Sequence, residues 1–230
     1  MSRGVIYISC GPDSVASAKL SMASLWSMAP AMPVLIVGDR EATAYFCHDA
    51  RVTCHEVQTD QARGAEFLAG YVKPLLAALS PFDESLYVDT DTRFQNAPAF
   101  GFGMLARWDV ILAEMQAVSV LDSVGGRAET EWTAEWMGTP DAVYHHSGML
   151  FWRRAPVVRA FFNLWAEEWK RFQDSDGQLA LLRALLRSEA VYHTVPHTWN
   201  FRSTIDSTFR SLRFGLTVAS AGDTGKTSGG

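Results

Sequence analysis

Leu86-Tyr87-Val88-Asp89-Thr90-Asp91-Thr92 joins a short β-forming run directly to two carboxylates spaced i, i+2. Leu-Tyr-Val has the aromatic and branched character of a buried strand. In extended chain, residues i and i+2 project to the same side, so both carboxylates can converge on one point. The carboxyl ends of strands in open α/β sheets are where ligands bind. Two carboxylates a few ångströms apart repel each other, and a hard divalent cation resolves that conflict with coordination positions left for phosphate oxygens. The structural alternative is that one Asp caps the following turn while the other is solvated.

The flanking sequence supplies the sheet for this strand. Val5 to Ser9 reads as a buried strand ending in Gly11-Pro12-Asp13, followed by a helix over 14–29 that Pro30 stops. Pro33 to Asp39 and Val52 to Val57 read as strands, and Gly64 to Leu79 as a helix interrupted by Pro74. Further strands are expected at Trp108–Glu114, His146–Arg153 and Val191–Val195, and helices at Pro156–Phe172 and Gln178–Arg187. The segment 116–143 reads as a long functional loop. Strands alternating with helices predict an α/β fold with a mostly parallel central sheet, as one domain over 1–219 with a flexible tail from 220 to 230.

Composition excludes several classes. The chain has 230 residues, of which 48% are hydrophobic and 20% charged, so disorder and fibrous repeats are ruled out. Residues 1–149 carry 9 Lys/Arg against 18 Asp/Glu, a net of −9, whereas residues 150–230 carry 11 against 7, a net of +4. The overall −5 argues against a protein that lives on nucleic acid or anionic membrane. No apolar run is long enough for a membrane span. The first residues lack a signal-peptide pattern, and the three cysteines cannot all pair, so a cytoplasmic protein is expected.

Two phosphate chemistries use a D-x-D pair after a strand. Haloacid-dehalogenase-like phosphatases need D-x-D-x-[TV], and here Arg93 occupies the fifth position. The second chemistry is sugar transfer from a nucleotide diphosphate. The chain resembles the GT-A-fold nucleotide-diphosphosugar transferases, particularly the glycogenin-like and bacterial galactosyltransferase-like group, over most of residues 4–203. The resemblance rests on several ordered stretches: Val5-Ile6-Tyr7-Ile8-Ser9-Cys10-Gly11, Pro33 to Asp39, Lys73-Pro74, Ser80-Pro81-Phe82-Asp83 and Leu86 to Thr92. Farther along, His146-Ser147-Gly148-Met149-Leu150-Phe151, Asp176-Gly177-Gln178 and Trp199-Asn200-Phe201 continue it.

The resemblance implies a metal-dependent glycosyltransferase, of hexosyltransferase type. Asp89 and Asp91 would hold Mn²⁺ or Mg²⁺ on the diphosphate of a nucleotide sugar, a UDP-sugar most plausibly. Ile8, Ser9 and Gly11 would line the nucleoside pocket, and Lys73 and Thr90 would belong to the donor site. Ser147 and Gly148 would border sugar and acceptor, and Asp176 or Gln178 would contact sugar or acceptor. The acceptor stays open among a saccharide, a protein, a lipid-linked glycan and modified nucleic acid, and oligomeric state is not legible. Three departures stand against the family pattern: Gly177 separates Asp176 from Gln178, His146 replaces a common Asn, and no His follows His197 to complete a metal site. A nucleotide-sugar-binding scaffold without turnover, and a metal-dependent phosphohydrolase, remain as alternatives.

Arg153, Arg154, Arg202 and Arg210 of the basic second half are candidates for extra charge at the diphosphate, against a solvated surface role. Cys47-His48 and Cys54-His55 do not match zinc spacing, and His145-His146 is a further candidate metal pair. Trp132 and Trp136 fit either a sugar-stacking lid or core plugging, and Trp165 and Trp169 a core or interface.

Overall fold

A computed structural model describes residues 1–58, 70–115, 119–122, 126–172, 177–203 and 218–221. Its main sheet contains β1 (Arg3–Ser9), β2 (Val34–Gly38), β3 (Val52–Glu56), β4 (Glu84–Val88), β6 (Val110–Glu114), β7 (His145–Arg153) and β8 (Tyr192–Val195) in the order β3-β2-β1-β4-β7-β6-β8. Every pairing is parallel except those of β7, which runs antiparallel to both β4 and β6. The expected mostly parallel α/β sheet is therefore present, with one reversed strand that no periodicity announced.

The β1 run is buried from Gly4 onward because both faces of the sheet are covered. Successive residues serve opposite layers. Val5 and Tyr7 pack with Val15, Met22 and Leu25 of α1 (Pro12–Met28), while Ile6 and Ile8 pack toward Phe161 and Trp165 of α6 (Pro156–Trp169) and toward α7 (Gln178–Arg187). Trp165 and Trp169 are accordingly core residues, 1% and 4% exposed. Gly11, at φ 78°, turns the chain from β1 into α1, where Pro12 occupies the first turn without costing a hydrogen bond.

Several elements were not foreseen. A short α2 (Arg40–Phe46) starts where Asp39 accepts from the Ala42 N–H at 2.9 Å. The helix anticipated at 64–79 is met from residue 70 onward, with 70–72 helical, a 3₁₀ turn at Lys73–Leu75 and a short α3 (Leu76–Leu79), the residues before 70 lying outside the described ones. Pro74 lacks an N–H, which suits the tight turn. A small sheet joins β5 (Thr92–Phe94), β10 (Val218–Ala221) and β9 (Asn200–Ser203). Ser220 and Ala221, read as the start of a tail, are in β10, and 222–230 lie outside the described residues. A six-residue α4 (Ala99–Met104) lies on one face.

The segment expected to be a long loop contains α5 (Arg127–Met137), which corrects that reading. Its buried positions are Glu129, Thr130 and Thr133, so it has no apolar stripe from which periodicity could be read. It packs through charge. Arg183 of α7, 0% exposed, donates to Glu129 at 2.8 Å, Thr133 at 2.7 Å and Glu168 of α6 at 3.0 Å. Trp132 and Trp136 stack in parallel on α5, 6.3 Å apart, with Trp136 44% exposed.

Removing one member of a buried ion network strands the remaining charges, which costs roughly 3–5 kcal/mol. Arg183→Ala should lower unfolding stability by about that much in urea titration, because Glu129 and Glu168 stay buried. Arg171→Ala, at the exposed rim of the same network, should cost less than about 1 kcal/mol. Equal costs would contradict the network's role.

Candidate active site

Because β1, β2, β4, β6 and β8 run parallel, their carboxyl ends share one edge with the amino end of the reversed β7. That edge collects Ser9 and Gly11 after β1, Asp39 after β2, and Asp89-Thr90-Asp91 after β4. Glu114 ends β6, and His146, Ser147 and Gly148 open β7. Ile8 lies one residue inside the edge and is buried.

Asp89 is the most heavily tethered of these groups. Its backbone N–H donates to the Gly148 carbonyl at 3.0 Å, and its own carbonyl accepts from Thr92 at 3.1 Å, closing the turn that carries Thr90 and Asp91. Lys73, 7% exposed, places Nζ 3.0 Å from Asp89 Oδ1 and donates to Ser147 Oγ at 3.2 Å. Tyr87 donates its hydroxyl to the same Oδ1 at 2.6 Å. Burial pushes the Tyr87 phenol well above its ordinary value, with the Asp89 charge adding to it, so Tyr87 remains a donor. Burial, the largest single influence, pushes the Asp89 carboxyl up, but the Lys73 charge, the His146 charge and the hydrogen bonds from Tyr87 and Lys73 together outweigh it and hold it at about 2. Asp89 is ionised throughout the neutral range.

Gly148 forms the other wall. A Cβ there would stand 2.4 Å from Asp89 Oδ2 and 2.5 Å from His146 Cε1, distances that no real side chain tolerates. Both atoms therefore crowd one small volume that only glycine leaves open. His146 Nδ1 accepts from the Gly148 N–H at 2.9 Å and lies 2.7 Å from Asn200 Nδ2. His145, the neighbour on the strand, points the opposite way, bonded to Thr194 at 2.8 Å, and burial holds its pKa down at about 4. The paired-histidine site is thus not formed.

At the other end, Gly11 N–H donates to Asp39 Oδ2 at 2.7 Å, so Asp39 ties the β1 turn to the start of α2. Gln178 begins α7 and is 9% exposed. A Cβ at the Gly177 before it would stand 3.2 Å from Trp169 Cδ1 and 4.0 Å from Gly70 Cα, which places the α7 start beside the segment leading to Lys73. Asp176 lies outside the described residues. Sequence reasoning did not single out Tyr87, Asp39 or Asn200 for the site, although each falls inside or beside a stretch quoted for the resemblance. Arg153 and Arg154 are a correction. Arg153 ends β7 in register with Glu84 at the start of β4, and Arg154 follows it, about 16 Å along the strand from Asp89, so neither can reach a ligand there. The side chains of Arg202 and Arg210 lie outside the described residues.

A divalent metal is implied by the fold family, and the donor set fits one. Two carboxylates on a tight turn supply hard oxygens, and the missing side chain at Gly148 is what lets Asp89 Oδ2 take its place there. Among the described residues no group of three or more His, Cys, Asp or Glu is arranged to hold a metal.

No protein-family model matches the chain, and no curated protein matches it. Solved structures do. Mouse xyloside xylosyltransferase 1 in its apo form superposes with a TM-score of 0.61 at 10% identity, over 96% of this chain and 98% of that one. Galactosyltransferase LgtC, in complex with donor and acceptor sugar analogs, gives 0.64 at 13% identity over 96% and 87%. The glycosyltransferase GlyE of Streptococcus pneumoniae TIGR4 gives 0.59 at 11% identity over 88% and 47%.

If Lys73 keeps Asp89 ionised, Lys73→Met should raise the Asp89 pKa from about 2 by about one unit or more, read by carboxyl ¹³C NMR titration. The folded value lies below the ordinary 3.8. The stabilisation from this carboxylate is therefore complete above pH 3.8 and lost as pH falls toward 2. An unchanged pKa in the variant would contradict the pairing. By its superposition on these structures, the chain has the GT-A fold of these glycosyltransferases, with its seven-stranded sheet flanked by helices.

Proposed function

We propose that the protein is a metal-dependent glycosyltransferase that uses a nucleotide-diphosphosugar, a UDP-sugar, as donor. The observation that carries this reading is Asp89, held ionised by Lys73 on the carboxyl edge of a GT-A sheet, with Asp91 on the same turn. Breaking the bond between the anomeric carbon and the diphosphate puts negative charge on the leaving phosphate oxygens. Mn²⁺ or Mg²⁺ held by Asp89 and Asp91 would supply Lewis-acid stabilisation of that charge.

The chain's own groups do the remainder. Lys73, already buried beside Asp89, adds a positive charge where the diphosphate lies, its ammonium turning from Asp89 to phosphate oxygen. Ile8, Ser9 and Gly11 offer backbone at the end of β1 to the nucleoside, in a turn braced by Asp39. Gly148 lets the sugar approach the Asp89 turn, and Ser147 is kept oriented by Lys73. Gln178, with Asp176, is proposed to contact the transferred sugar or the acceptor. The anomeric carbon exchanges its phosphate oxygen for an acceptor oxygen, whose proton is released. The acceptor class remains a saccharide, a protein, a lipid-linked glycan or a modified nucleic acid. No helix among the described residues is long and apolar enough to cross a membrane.

Isothermal titration of UDP with Mn²⁺ and with EDTA tests the donor site. Binding should be about tenfold or more tighter with Mn²⁺, as expected for a lost charge-assisted contact, and Asp89→Asn or Asp91→Asn should abolish the difference. Metal-independent affinity would overturn the reading. Binding without sugar release to water or to added acceptors would indicate a scaffold, and phosphate release from simple monoesters a hydrolase.

A further inference from the structure

The arginines that fail to reach the donor site line a different feature. At the amino edge of the sheet a cleft of about 500 Å³ is walled by Phe82, Trp152, Arg153, Arg154, Val158 and Arg159, and no acidic side chain lines it. That volume suits a small organic ligand rather than a lone ion.

The three guanidinium groups differ in how far their charge is answered. Arg153 is paired with Asp109, which is 3% exposed. Arg154 donates from Nε to the Phe82 carbonyl at 3.2 Å and from Nη2 to the Ser80 carbonyl at 3.0 Å. Neutral acceptors of this kind orient the guanidinium without cancelling its charge. The adjacent Asp83 carboxylate accepts from the Ser2 N–H at 2.8 Å and answers part of the Arg154 charge, so the larger share of unanswered charge is on Arg159. The Arg159 guanidinium is exposed and makes no hydrogen bond or ion pair among the described residues. The same wall holds the start of α6, which has no side-chain cap and no acidic residue in its first turn, so its dipole adds to the positive field. Phe82 and Trp152, 8% and 2% exposed, supply an apolar floor.

We propose that this cleft binds a small phosphate monoester, its phosphate on Arg154 and Arg159 and its apolar body against Phe82 and Trp152. Planar guanidinium forks suit phosphate oxygens, and the floor calls for an ester in place of inorganic phosphate. The site is separate from the carboxyl edge and does not depend on the donor reading.

Isothermal titration in EDTA, with phenyl phosphate and inorganic phosphate as probes, tests it on the full chain. Phenyl phosphate should bind the wild type and Asp89→Asn equally. It should bind Arg159→Glu about tenfold or more weakly, the cost of one charge-assisted contact. Arg159→Ala, a milder change at the same exposed position, should fall between, and both Arg159 variants should keep the wild-type thermal midpoint. Inorganic phosphate should bind more weakly than phenyl phosphate. Absence of binding to the wild type, equal affinity for both probes, or binding that survives Arg159→Glu would overturn the proposal. Loss in Asp89→Asn with retention in Arg159→Glu would assign the phosphate to the carboxyl edge instead.

Discussion

A lysine ammonium 3.0 Å from a carboxylate on the seam between parallel and antiparallel strands is the constraint around which the carboxyl edge is built. Asp89 ends β4, Gly148 begins the usable part of β7, and their backbones are joined by the Asp89 N–H. A carboxylate brought into that seam loses solvation and would neutralise if nothing compensated it. Lys73 compensates it from a third segment, whose 3₁₀ turn packs against α6. The positions of the turn after β4, the opening of β7 and the Lys73 turn are thus linked by one charge pair. Gly148 completes the arrangement, because Asp89 Oδ2 and the His146 ring occupy the place a Cβ would take.

The two edges of the sheet handle charge differently. At the carboxyl edge, Lys73 answers Asp89 while Asp91 follows on the same turn, a surplus of negative charge suited to a cation. At the amino edge the carboxylates are matched, with Arg3 on Glu84 at 2.6 Å and Arg153 on Asp109, and the arginines beyond them are in surplus. Arg153 and Arg154, from the basic part of the sequence, therefore do not serve the site of Asp89, which lies at the opposite end of the β4–β7 pairing.

The acidic turn was legible because it combines a strong local strand signal with a spacing whose consequence is geometric. The strands β1, β2 and β4 were legible for the same reason: continuous apolar runs bounded by Gly, Pro or Asp. Helix α5 was not, because its buried face is Glu129, Thr130 and Thr133 and its partner is Arg183, and periodicity detects only apolar faces. The reversal of β7 was not legible either, since an apolar strand reads alike in both directions. That reversal decides the fate of Arg153 and Arg154, which lie at its far end. His146 and Asn200 were visible as members of quoted stretches, yet their meeting at 2.7 Å depends on strands 54 residues apart. Pairings of that kind come from topology, which local patterns do not encode.

The most direct measurement is anomalous diffraction from crystals grown with Mn²⁺ and UDP. The account predicts one manganese peak bonded to the Asp89 and Asp91 carboxylates and to the diphosphate, with Lys73 turned toward phosphate oxygen. Manganese elsewhere, or UDP bound away from the carboxyl edge with Lys73 still on Asp89, would contradict it.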